Sequence, residues 1–241
     1  NSRSEQVQYC RFCKLKIYFN FLQKQGKIFI SPIESCPYPK RHETHHPILT
    51  QEEIEYMLDS IREYDDKCIQ GKVMMELLYS SALRPREVVA LKAQDIDFKK
   101  QELFILKSKG NKDRVVPVGR RALDLITRYI NTTRKKHLVS GSPDNLFFDF
   151  RTGKPYNGVQ IQTVINYALR FNGFPEIRTY SLRGTAATVL YLNGMGIGHI
   201  RKLLGHSKLS STTIYLRIHD NALKKELSAK HPRLKIKEGK K

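Results

Sequence analysis

The residues best suited to chemistry fall in one window, Tyr180 to Tyr215, with the sequence YSLRGTAATVLYLNGMGIGHIRKLLGHSKLSSTTIY. Four of them sit badly in a plain helical core. Tyr180 and Arg183 are three apart and therefore share a helix face, His206 follows Leu203-Leu204-Gly205 directly, and Tyr215 lies nine residues further on. A guanidinium grips a phosphate through two parallel N–H donors. An imidazole gives or takes a proton near neutral pH. A phenol can act as a covalent nucleophile. Together these side chains describe phosphoryl chemistry on a polyanion.

Two upstream stretches offer further charged groups. In Ala82-Leu83-Arg84-Pro85-Arg86-Glu87, Pro85 suits the first turn of a helix. Arg84 then stands at a helix N-terminus, where backbone N–H groups already favour anions. Glu87, one turn on, would brace it, although the two read alone as an ordinary surface ion pair. Lys109-Gly110-Asn111-Lys112-Asp113-Arg114 reads as a hairpin turn between short strands at residues 103–106 and 115–118. Lysine can donate a proton to a leaving alkoxide, and its pKa shifts readily in a desolvated site. It could equally do no more than contact a phosphate, as Lys112 and Arg114 are expected to do.

These stretches resemble the tyrosine recombinases and phage-type integrases: H-x-L-R, then L-L-G-H, then a tyrosine nine residues on, preceded by G-L-R-x-x-E and K-G-N-K-x-R. Ala82 replaces the family's glycine and Tyr180 its first histidine. The resemblance implies a metal- and ATP-independent strand transferase that needs no cofactor. In it, Arg84 and Arg183 hold the scissile phosphate, and Tyr215 attacks phosphorus to leave a 3′-phosphotyrosyl link. Lys109 protonates the 5′-oxygen, and His206 binds the phosphate or assists proton transfer. Tyr180 would position the phosphate, since a free phenol with a pKa near 10 is a poor base at pH 7. It also implies double-stranded DNA as substrate, a dimer or tetramer assembled on it, and accessory DNA-bending proteins as possible partners. A type IB topoisomerase and a catalytically silent DNA-binding protein are the alternatives.

The elements that must position these residues give a mainly α chain with a small antiparallel β-sheet, an α+β fold. Residues 1–26 read as one helix with Tyr9, Phe12, Ile17, Phe19, Phe21 and Leu22 on a broad apolar face, stopped at Gly26. The resemblance makes this the last helix of an N-terminal DNA-binding domain, with the helices before it missing from the sequence. Residues 27–47, rich in proline, lysine and histidine, are expected to be an extended basic linker. A catalytic domain over 48–218 begins with a capping box, Thr50 to Glu53, on a helix running to about Glu63. Basic residues Arg151 and Lys154 sit in a turn that could meet the DNA backbone or simply be solvated. Residues 219–241 read as a C-terminal helix, anchored by Leu223 and Leu227, and a basic tail that docks on a neighbouring protomer or on its own domain.

Composition agrees with a polyanionic partner. A formal net charge of +20 is spread along 241 residues. No apolar run is long enough to span a membrane. With four cysteines the chain is no disulfide scaffold, so a reduced, cytoplasmic, nucleoid-associated protein is expected. Cys10, Cys13 and Cys36 could be assembled with His42 into a zinc site, but the spacings are not those of a standard finger. Small apolar cysteines on a helix face and solvated histidines account for them as well, so no metal is expected.

Overall fold

The computed structural model describes residues 2–39, 47–106 and 113–206. Lys109, Lys112, His42, Tyr215 and the expected C-terminal helix lie outside the described residues. The chain divides into two compact units, Asn1–His45 and His46–Lys241.

In the first unit, α1 spans Ser2–Lys24. It stops at Gly26, whose φ of 66° suits a residue without Cβ; the Lys27 N–H then reaches back to the Leu22 carbonyl at 3.0 Å. The expected extended linker is not extended where it is described. Turns close between Ser31 and Glu34 and between Ile33 and Cys36. Tyr38 then returns onto α1, its ring 5.1 Å from Phe12 and 6.2 Å from Tyr9, with the Lys16 ammonium 4.5 Å from its centroid. Tilted and edge-on ring contacts and a cation–π contact oppose the extended form that the prolines favour. The apolar face is only partly covered: Ile17 stays 71 % exposed.

The second unit is built around α3, Asp66–Ser80. Cys68, Gly71, Val73, Met74, Met75, Leu77 and Leu78 are buried all round it, the pattern of a central helix rather than an amphipathic surface one. A Cβ on Gly71 would come within 2.8 Å of the Ala168 Cβ, so the small residue lets α3 meet α6, Gln160–Phe171, at close range. The buried Gln70 amide is satisfied by the Tyr129 hydroxyl, the Phe148 carbonyl and the Tyr156 hydroxyl.

Before α3 lies α2, Gln51–Ser60, opened by the expected capping box at Thr50 and Glu53. The helix ends at Ser60, short of Glu63. Ile61 turns extended and buried, its carbonyl accepts from Lys72 Nζ at 3.0 Å, and the Arg62 N–H donates to Asn172 Oδ1. Tertiary partners thus replace the helical bonds of a last turn.

After α3 come α4, Pro85–Ala90, and an antiparallel sheet ordered β1 (Ile96–Asp97), β2 (Glu102–Ile105) and β3 (Arg114–Pro117). Leu103 pairs with Val116 and Ile105 with Arg114. Arg114 therefore opens the return strand rather than closing the turn. Helix α5, Arg120–Tyr129, continues through a π-turn over Ile130–Arg134. A two-stranded hairpin follows, β4 (Phe148–Asp149) with β5 (Lys154–Pro155). The last described helices are α7, Thr179–Leu192, and α8, Ile197–Leu204, separated by a short turn that contains Gly194 and Gly196. Among the described residues, no helix is long and apolar enough to cross a membrane.

Candidate active site

Three elements, α4, β3 and α7, converge on one carboxylate. Glu87, in the first turn of α4, is almost fully buried. Its Oε1 accepts from Arg84 Nη1 at 2.8 Å and Arg114 Nη1 at 2.7 Å. Its Oε2 accepts from the Arg84 backbone N–H at 2.8 Å and Arg114 Nη2 at 2.8 Å. Arg183 Nη1 stands 4.0 Å from Oε2. Arg84 is the helix N-cap, with extended ψ of 148°, which turns its N–H back toward the Glu87 carboxylate.

The remaining partners are carbonyls at sharp backbone turns. Arg84 Nη2 donates to the Gly205 carbonyl at 2.6 Å. Arg183, from the buried side of α7, donates to the Ala82 and Leu204 carbonyls and approaches His206 Nε2 at 3.3 Å. Both turns use the left-handed region. Ala82 has φ of 48°, an uncommon and mildly strained value for a residue with a Cβ, so glycine is the easier occupant there. Gly205 has φ of 60°, caps α8, and sends the His206 N–H back to the Arg201 carbonyl at 3.1 Å. A Cβ at Gly205 would press to 3.1 Å from the Arg114 guanidinium.

Among the described residues, three guanidiniums surround one carboxylate, which leaves an excess of positive charge. Burial pushes the Glu87 carboxyl up, but hydrogen bonds from Arg114 and Arg84 outweigh it and hold the group at about 2. Burial, with Arg183, Arg84 and Arg114 adding repulsion, drives His206 down to about 4. At neutral pH its imidazole is uncharged, offering one donor and one acceptor. The described cluster thus combines positive charge with a neutral histidine at its edge.

Of the expected site residues, the structure brings Arg84, Glu87, Arg183 and His206 together. Tyr180 shares the first turns of α7 with Arg183 but is 50 % exposed where Arg183 is buried. Arg151 and Lys154 are exposed on the β4–β5 hairpin, outside the cluster. Among the described residues no three metal-ligating side chains gather, with Cys10 and Cys36 exposed and Cys13 half-buried. Arg114, expected as a DNA contact in the hairpin turn, belongs to the cluster instead. Strand alternation carries the signal: Val116 faces the core, so Arg114, two residues earlier on the same face, must also point inward.

Known proteins resemble this chain in sequence and in fold. Residues 47–222 match the phage integrase family. The tyrosine recombinase XerC of Staphylococcus epidermidis is 30 % identical over 222 residues, covering 92 % of this chain and 74 % of the relative. XerC of Halalkalibacterium halodurans is 30 % identical over 224 residues, covering 91 % and 73 %. Two solved structures share the fold. The XerA recombinase has a TM-score of 0.66 at 23 % identity, covering 93 % of this chain and 76 % of that one. The Tn1549 transposon integrase in complex with circular intermediate DNA has 0.67 at 20 %, covering 85 % and 72 %.

Proposed function

We propose, from the premise that this chain belongs to the phage integrase family and is a site-specific recombinase of the tyrosine type, a division of labour among its residues. Arg84 and Arg183 bind the two non-bridging oxygens of the scissile phosphate. Arg84, with 21 % of its side chain exposed against 4 % for Arg183, is the first to meet it. Both stabilise the charge that grows on those oxygens as phosphorus becomes pentacoordinate.

The Tyr215 phenolic oxygen forms the new bond to phosphorus as the bond to the 5′-oxygen breaks. Lys109 delivers a proton to that leaving oxygen. His206, neutral before DNA arrives, accepts the phenolic proton, and the bound phosphodiester anion raises its proton affinity. The hydroxyl of Tyr180 donates a hydrogen bond to the phosphate. Attack by a 5′-hydroxyl reverses the sequence and rejoins the strand, so no external energy source enters. The substrate is double-stranded DNA, contacted in addition by Lys112, Arg151 and Lys154. The enzyme works as a dimer or tetramer on that DNA, with accessory bending proteins where the site requires them. It acts in the cytoplasm at the nucleoid, because its substrate is there.

The observation that carries this reading is the gathering of Arg84, Arg183 and His206 around an electropositive pocket, with Arg84 bonded to the Gly205 carbonyl 121 residues away. The sequence then places Tyr215 nine residues beyond His206. The test is a nicked suicide substrate, whose cut product cannot rejoin. Parent protein should accumulate a covalent protein–DNA adduct; Tyr215→Phe, which removes only the hydroxyl, should bind the same DNA and form none. Adduct in the Phe variant would assign the nucleophile elsewhere.

A further inference from the structure

Arg114 is committed inward. Both terminal nitrogens of its guanidinium lie on the two oxygens of Glu87, at 2.7 and 2.8 Å, in the two-pronged geometry that only arginine supplies. Its side chain is 13 % exposed, and its Nε is buried with no hydrogen-bond partner among the described residues. Gly205 leaves room for the guanidinium. With Arg84 supplying two more donors, each Glu87 oxygen already accepts two hydrogen bonds. Such a carboxylate has little capacity left for a substrate. It works as a joint.

The joint connects distant parts of the chain. Arg84 begins α4, and Arg114 begins β3, 27 residues from Glu87. The strand is pinned on its other side, where Ile105 of β2 pairs with Arg114. The segment between Ile105 and Arg114 carries Lys109. Whatever fixes Arg114 therefore fixes the strand that follows Lys109 in the chain.

We propose that Arg114 is a positioning residue that locks the β2–β3 hairpin to the phosphate-binding arginines through Glu87, so that Lys109 and the phosphate pocket are set as one unit. This rests on the reading in which Lys109 protonates the leaving oxygen. A second effect must be separated from positioning: Arg114 also contributes positive charge to the pocket. Arg114→Lys keeps the charge and loses the fork, whereas Arg114→Ala loses both.

Single-turnover cleavage on two nicked substrates makes the test, one with an ordinary 5′-oxygen and one with a 5′-bridging sulfur, which leaves without a proton. Misplacing a catalytic group by about 1 Å costs on the order of a hundredfold. Arg114→Ala and Arg114→Lys should each lose about that much on oxygen. On sulfur Arg114→Lys should cleave within a few-fold of the parent, and Arg114→Ala, which also loses the charge, should lose less than it does on oxygen. In a Lys109→Ala background, Arg114→Lys should cost nothing further on oxygen. Should Arg114→Ala fail to fold by circular dichroism, Arg114→Lys carries the comparison. Equal losses on oxygen and sulfur, or full activity in Arg114→Lys, would overturn the positioning role. If Lys109→Ala itself is not rescued by sulfur, the acid assignment falls and this inference falls with it. If Lys109→Ala is rescued and the Arg114 variants are not, only the inference falls.

Discussion

The Glu87 carboxylate offers a quantitative check on how the pocket is held. Its pKa falls from an ordinary 4.5 to about 2 in the folded chain. A drop of that size corresponds to about 3 kcal/mol of folding free energy, an order-of-magnitude figure for a group this well buried. The sign follows from which state binds protons. The unfolded carboxyl protonates near its ordinary value and the folded one resists until about 2. The contribution is therefore complete above the unfolded pKa, begins to be lost as pH falls below it, and is gone once pH passes the folded pKa. Roughly half should remain near pH 3. Glu87→Gln removes the charge and turns an amide donor toward guanidinium donors, so it should destabilise by about 3 kcal/mol at pH 7. The gap between parent and variant should shrink below about pH 4. With no tryptophan in the chain, urea melts followed by far-ultraviolet circular dichroism are the suitable assay. The depressed His206 also costs stability as pH falls from 6.5 toward 4. Because it is present in both proteins, the difference between them largely cancels it. A difference under about 1 kcal/mol at pH 7, or one that stays constant down to pH 3, would refute the idea that the carboxylate binds the arginines together.

Two further outcomes bear on the same pocket. Gly205→Ala forces a Cβ into the left-handed region and against the Arg114 guanidinium. Urea melts should show a loss of about 1–2 kcal/mol, and cleavage of the nicked substrate should fall with it; an unchanged melt would mean that neither constraint matters. In the DNA-free protein, nuclear magnetic resonance should show His206 uncharged throughout pH 6–8, because it titrates at about 4. A midpoint near 6.5 would contradict the burial and repulsion assigned to it, whereas Tyr180→His should introduce a separate imidazole titrating near 6.5.

Local signals predicted most of this architecture, and the places where they failed share one cause. The Thr50–Glu53 capping box, Pro85 at a helix start, the stop of α1 at Gly26 and the short strands near residues 103–106 and 115–118 are all decided within a few residues, and the structure forms each of them. The partial misses come from partners far away in the chain. Helix α2 stops early because Ile61 and Arg62 find Lys72 and Asn172. Tyr38 folds back because α1 offers it two rings and an ammonium. Arg114 follows the same logic. In sequence it sits in a basic turn, and a cation there reads as a solvent-facing hand for DNA. The strand period places it inward, beside a buried Glu87 that would otherwise be answered by Arg84 alone. A charge on a core-facing strand position needs an opposite charge close by, because burying it unpaired costs several kcal/mol. Glu87 was visible as that partner; the pairing was not, because 27 residues separate it from Arg114. The same reasoning explains why the motif residues are so legible as a set. Arg84 and Arg183 reach carbonyls of other segments, at Gly205, Ala82 and Leu204, and Arg183 approaches His206, so the pocket forms only when the turns at Ala82 and Gly205 are in register.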